Sequence, residues 1–141
     1  MKTLIAFIIG AFMCQGISSQ VTGKWKTIDD ETGEEKSIVE IYQKNGKVYG
    51  KIVEILNPDK KDALCDLCEG ADHNKPINGM VIIKDLEKDD DEYEDGTIFD
   101  PSTGKLYRAK IWVDGDNNNL LNVRGYIAFF FKTQQWIRVK S

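Results

Sequence analysis

The sequence of 141 residues holds one histidine, His73, and lacks any long apolar run, any basic stripe and any helical hydrophobic period. A single histidine excludes a multi-histidine metal site. The longest apolar stretch, Leu4 to Met13, is interrupted only by Gly10 and falls short of the roughly 20 residues a bilayer-spanning helix needs. Lys and Arg number 19 against 23 Asp and Glu, a formal net of -4 of mixed sign, so nothing matches the cationic surface that a phosphate backbone requires. Nucleic acid is not an expected partner. There is no Gly-x-Ser-x-Gly, no P-loop and no internal repeat or domain linker, which removes the common nucleophile-elbow and nucleotide-cradling chemistries.

The N-terminal segment reads as a secretory signal peptide over residues 1–19. Lys2 precedes the apolar run, and Gly16, Ser18 and Ser19 form the small-residue region that signal peptidase prefers. Export to the periplasm or beyond is therefore the expected localisation. Cys14 follows Ala11-Phe12-Met13, whose bulky Phe and Met make a poor lipobox, so lipid attachment is not expected there. Cleavage removes one Lys and no acid from the 19 and 23, leaving a single domain, residues 20–141, of 122 residues with 18 basic and 23 acidic side chains and a net of -5.

Two cysteines then remain, Cys65 and Cys68. An even pair in an exported chain reads first as a structural disulfide. The alternatives are a redox-active C-x-x-C and a metal site. The first needs a stabilised thiolate, against which Asp62, Asp66, Glu69 and Asp72 weigh; the second needs two more soft ligands, and only His73 is near.

The rest alternates apolar and polar in short runs separated by turn residues. Asn45-Gly46 between Ser37–Gln43 and Lys47–Ile55 is a strong hairpin signal. Counting outward from that turn pairs Lys44 with Lys47, Gln43 with Val48, Tyr42 with Tyr49, Ile41 with Gly50, Glu40 with Lys51 and Val39 with Ile52. One face then carries Val39, Ile41, Val48, Gly50 and Ile52, and the other the Glu40–Lys51 and Tyr42–Tyr49 pairs. Further strands are expected at Gly23–Ile28, Met80–Leu86, Thr97–Asp100 and Lys105–Val113, then at Leu120–Tyr126, with the run continuing through Ile127 to Phe131, and at Gln135–Lys140. About eight mostly antiparallel strands in so short a chain predict an all-β, up-and-down barrel, since closure removes both sheet edges.

Gly23-Lys24-Trp25 near one end and Trp136-Ile137-Arg138 near the other would meet on closure. Their placement resembles the calycin superfamily of lipocalins and fatty-acid-binding proteins, which implies that Arg138 stacks on Trp25 beside Gly23 as a closing contact. More closely, the chain resembles the exported bacterial family known as domain of unknown function 2147. The blocks that carry this are Gly23-Lys24-Trp25, Asn45 to Ile52, Cys65-Asp66-Leu67-Cys68, Lys75 to Gly79, Gly96 to Lys105, Val123 to Tyr126 and Gln135 to Arg138, with Asn78 and Phe99 as departures. The resemblance implies export and a barrel, and supplies no reaction, catalytic residue or cofactor.

The acidic run Asp89-Asp90-Asp91-Glu92 with Glu94 and Asp95 reads as a solvated loop rather than a calcium site. Asp114-Gly115-Asp116-Asn117-Asn118 lacks the sixth-position Gly and twelfth-position Glu of a calcium loop and reads as a hairpin turn. Arg124 and Tyr126 share the face opposite Leu121 and Val123; inward they would grip a ligand carboxylate, and the period-2 pattern favours them outside. Asp72 with His73 could form an acid–base pair, and an exposed loop histidine is the plainer reading.

The expected function is non-catalytic binding of a small apolar or amphipathic ligand by a monomeric barrel, in a cavity lined by Val39, Ile41, Ile52, Tyr107, Ile111 and Val123. A packed interior with an aromatic patch around Tyr42, Tyr49 and Trp112 would instead mark an envelope structural or interaction module. A thiol-redox or hydrolytic enzyme would use the Cys65, Cys68 and His73 loop.

Overall fold

The computed structural model describes residues 21–140; the signal-peptide and Cys14 readings fall outside these. Eight antiparallel strands form one closed up-and-down barrel: β1 (Gly23–Ile28), β2 (Glu35–Lys44), β3 (Lys47–Ile55), β4 (Val81–Asp89), β5 (Glu92–Asp100), β6 (Lys105–Val113), β7 (Leu120–Ile127) and β8 (Phe130–Arg138). Each strand pairs with the next, and β1 meets β8 through Trp25↔Arg138 and Lys26↔Ile137. Among the described residues no helix is long and apolar enough to cross a membrane.

Turn chemistry sets several of the joints. Asn45 and Gly46 take positive φ, 54° and 81°, the conformation that two-residue hairpins require. The β2–β3 register that follows is the one counted from the turn, from Lys44↔Lys47 to Val39↔Ile52. Between β5 and β6, the Asp100 carboxylate accepts from the Ser102 N–H at 2.9 Å and the Ser102 hydroxyl at 2.6 Å. Between β6 and β7, Asp114 accepts from the Asp116 N–H at 3.1 Å, and Asn117 from the Asn119 N–H at 2.9 Å. That segment is a hairpin connection made of Asx turns.

Two strand expectations needed correction. The acidic run is not all loop: β4 continues to Asp89, the turn occupies Asp90-Asp91, and β5 begins at Glu92. Tyr93 explains this, being 4% exposed in the core between outward-facing Glu92 and Glu94, both of which contact Lys110 Nζ, at 3.2 and 3.7 Å. The apolar run Ile127–Phe131 is also not continuous strand, because the β7–β8 hairpin turns at Ala128-Phe129, and the last strand accordingly spans Phe130–Arg138 rather than Gln135–Lys140.

The core is a cluster that includes Trp25, Val39, Ile41, Val48, Ile52, Ile83, Leu86, Tyr93, Ile111, Leu121, Val123 and Trp136. Simple alternation breaks in β4 and β5: Ile83 and Leu86 are both fully buried, and Tyr93 and Gly96 are both buried. Asp85 and Asp95 make the change of parity by adopting φ 62° and 65° nearly opposite one another, as β-bulge residues do. The strands approach so closely there that a Cβ on Gly96 would run into the Lys84 carbonyl and lie 2.8 Å from the Leu86 nitrogen. Buried polar groups are satisfied: Thr27 bonds Ser37 Oγ at 2.8 Å, and Asn122 donates to Asp114 at 3.2 Å and accepts from Gln135 at 3.1 Å.

Candidate functional site

The long connection between β3 and β4, residues 56–80, is the largest departure from a plain meander. It doubles back on itself: Leu64 bridges Pro76, Cys65 N–H donates to Lys75 O at 2.8 Å, and Asn74 N–H returns to Cys65 O at 2.7 Å. A disulfide joins Cys65 and Cys68, which are 0% and 7% exposed. His73 Nδ1 lies 3.0 Å from the Cys68 carbonyl; since a carbonyl only accepts, the ring nitrogen is the donor. The three residues of the redox or hydrolytic alternative are therefore joined by a disulfide and a hydrogen bond from the imidazole to a backbone carbonyl. Among the described residues no three His, Cys, Asp or Glu side chains gather as a metal-binding group.

At its far end the connection is sewn to β3, with Gly79 N–H donating to Ile52 O at 2.7 Å and Ile52 N–H to Met80 O at 2.9 Å. It thereby covers outward-facing Ile82, which is 6% exposed, and leaves two adjoining recesses against the outer barrel wall. The larger, of about 520 Å³, is lined by Tyr42, Lys44 and Tyr49 of the β2–β3 hairpin, by Asp72 and Lys75 of the connection, and by Met80, Val81 and Lys84. The smaller, of about 160 Å³, shares Asp72, Met80, Val81 and Lys84 and adds Cys68, Phe99 and Leu106.

The larger recess is a groove with an aromatic floor and a cationic rim. The Tyr42 and Tyr49 rings stack at 5.8 Å and 21°, as their cross-strand pairing dictates. Tyr49 donates its hydroxyl to Asp85 Oδ1 at 2.8 Å. That hydrogen bond, aided by burial and the Asp85 charge, pushes the phenol above its ordinary pKa. Lys44, Lys75 and Lys84 face a single lining carboxylate, Asp72. The sequence reading foresaw the tyrosine pair and missed the groove, since Lys75 and Lys84 approach it only once the connection folds across β4.

None of the six cavity-lining candidates borders either recess. Val39, Ile41, Ile52, Ile111 and Val123 belong to the core cluster, and half-buried Tyr107 lies against Gly125, where an added Cβ would come within 3.3 Å of its ring. Gly23, Trp25 and Arg138 are brought together: the Arg138 guanidinium stands 4.2 Å from the Trp25 ring centroid, and Gly23, at φ 121°, lies beside Arg138 Nη1. Arg124 lies outside, between Trp112 at 5.0 Å and Phe131 at 4.4 Å, with Nε donating to Thr133 Oγ1 at 2.8 Å. Tyr126 packs beside Phe131 at 5.8 Å. The anticipated single aromatic patch is two, because β4 and β5 separate the tyrosine pair from Trp112 on β6.

The sequence matches the family described as "Uncharacterized protein conserved in bacteria (DUF2147)" over residues 23–138. The fold is similar to that of protein HP1028 from Helicobacter pylori, described as belonging to the lipocalin family, with a TM-score of 0.73 and 22% identity over 85% of this chain and 83% of that one. No curated protein matches the sequence.

Proposed function

The chain belongs to the DUF2147 family of bacterial proteins, and from that premise we propose that it is a non-catalytic binding protein for a small amphipathic anion, held in the external groove rather than in the barrel lumen. One contrast carries this reading. The residues that would line a lumen are the core, whereas a groove of about 520 Å³ lies between the stapled connection and the outer wall, within the roughly 300–1,000 Å³ usual for ligand sites. Met80, Val81 and the tyrosine rings offer the apolar surface, and Lys44, Lys75 and Lys84 outnumber Asp72 around it. The lining carries neither histidine nor cysteine.

The proposal includes export. Lys2, the Leu4–Met13 run and the small residues ending at Ser19 support it, and so does a disulfide, a bond of oxidising compartments. The intact mass of protein purified from its host, lacking residues 1–19, is the expected result.

Calorimetric titration with dodecanoate tests the ligand class. Dodecanoate should bind, the equally long dodecyltrimethylammonium should not, and Lys75→Glu with Lys84→Glu should weaken dodecanoate at least about tenfold, roughly the loss of one charge-assisted contact. Affinity unchanged in that double variant, or lost only in Ile41→Trp, returns the site to the lumen and overturns the reading.

A further inference from the structure

The exposed apolar side chains are not scattered. Phe129, Phe130, Phe131 and Ile127, at 98%, 74%, 59% and 47% exposure, occupy the apex of the β7–β8 hairpin. Leu64, Leu67 and Leu106 are about as exposed as Ile127 or more so, at 50%, 48% and 59%, and stand in or beside the β3–β4 and β5–β6 connections. All three of these loops lie at one end of an up-and-down barrel, and among the described residues Ile137 alone of the large exposed hydrophobics lies near the other. Single exposed apolar residues need no explanation; a contiguous group at one tip marks a contact surface.

The apex is a preformed knob. Eight residue pairs, from Leu120↔Ile137 to Ile127↔Phe130, hold the hairpin, and the Tyr126 ring braces Phe131. The turn itself is strained, with Ala128 at φ 52°, where two-residue turns ordinarily place Gly or Asn. A projecting, ordered aromatic tip is suited to entering a partner's pocket with little ordering cost.

Charge beside the knob selects among partners. Lys132 Nζ holds Asp30 Oδ2 at 3.0 Å, which draws the β1–β2 turn against the base of the tip. That turn and the start of β2 carry Asp29, Asp30, Glu31, Glu34 and Glu35 against Lys36. Backbone N–H groups of Thr32 and Glu31 hold the Asp29 carboxyl below the usual carboxylate range, so it remains charged. On the other flank Arg124 is occupied with the Trp112 and Phe131 rings and Thr133, and exposed Arg108 stands opposite Tyr126 on β6. An anionic lipid surface would meet these carboxylates unfavourably, and two copies joined tip to tip would oppose one acidic turn to another.

We propose that the Phe129-Phe130-Phe131 tip and the acidic β1–β2 turn together form a docking surface for a protein partner that presents apolar side chains flanked by lysine or arginine. Such a site is separate from the groove, which lies on the β2–β4 wall.

The test uses the full exported chain, a fluorescent 18-residue Leu/Lys amphipathic peptide and its Leu/Glu counterpart, read by anisotropy. The Leu/Lys peptide should bind at least tenfold more tightly, and both F129S/F130S and E31K/E34K should weaken it at least tenfold. Because these side chains are exposed, both variants should keep the wild-type melting temperature and dodecanoate affinity. Equal affinity for the two peptides, or wild-type affinity in either variant, overturns the proposal. So does phosphatidylglycerol-vesicle binding that requires the phenylalanines while the Leu/Lys peptide does not bind, which would make the tip a membrane anchor. A sedimenting dimer abolished by F129S/F130S overturns it in favour of self-association.

Discussion

Arg138 closes the barrel by standing 4.2 Å over Trp25 while its Nε and Nη2 donate to the Asn118 carbonyl at 3.1 and 3.0 Å. One side chain thus ties the last strand to the first and to the β6–β7 connection. Arg138→Ala should lower stability by about 1–3 kcal/mol, combining a cation–π contact with the loss of charged hydrogen bonds. Arg138→Lys should recover only part of it, since an ammonium lacks the planar fork that stacks and donates together. Urea unfolding followed by tryptophan fluorescence measures both.

Gly96 separates two kinds of glycine. Gly96→Ala forces a methyl into the Lys84 carbonyl and the Leu86 nitrogen across the strand, and should cost about 3 kcal/mol or more, because backbone rather than a rotatable side chain must move. Gly115→Ala meets nothing within 4 Å and should stay within about 0.5 kcal/mol of wild type.

Tyr49 should titrate late. Its hydroxyl donates to Asp85, and ionisation would remove the donor and set phenolate against carboxylate, so the folded pKa lies above the ordinary phenol value. A raised folded value means that the hydrogen bond contributes stability below the unfolded pKa and loses it as pH rises through the folded one. Difference absorbance at 295 nm should show the transition moving down in Asp85→Asn. An unmoved transition would remove Asp85 as the cause.

Reduction of Cys65–Cys68 should loosen the connection and spare the barrel. The cysteines are three residues apart, so the chain-entropy estimate is only about 2 kcal/mol. The double serine variant should keep its far-UV circular dichroism, lose amide-exchange protection at positions 65 and 74, and bind dodecanoate more weakly.

Legibility followed locality. The β2–β3 register could be counted from Asn45-Gly46 because that turn and the alternation beside it specify the same pairing. Closure was legible through Gly23, Trp25 and Arg138, whose meeting needs nothing beyond strand order. The start of β5 was hidden because only Tyr93 faces the core there, while the carboxylates around it point to solvent and to Lys110. The Ala128-Phe129 turn carries no turn residue, its conformation being imposed by the ladder on either side. The groove depends on residues 56–80 folding across β4, a long-range event with no periodicity of its own.

The β2–β4 wall divides its residues between two tasks. Val39, Ile41, Val48, Ile52 and Ile83 face the core, while Tyr42, Lys44, Tyr49 and Lys84 line the groove. Substitutions on the two faces share few contacts and should act nearly independently. Under the proposed function, a lineage could therefore exchange one ligand for another, residue by residue on the outer parity, without passing through an unstable intermediate.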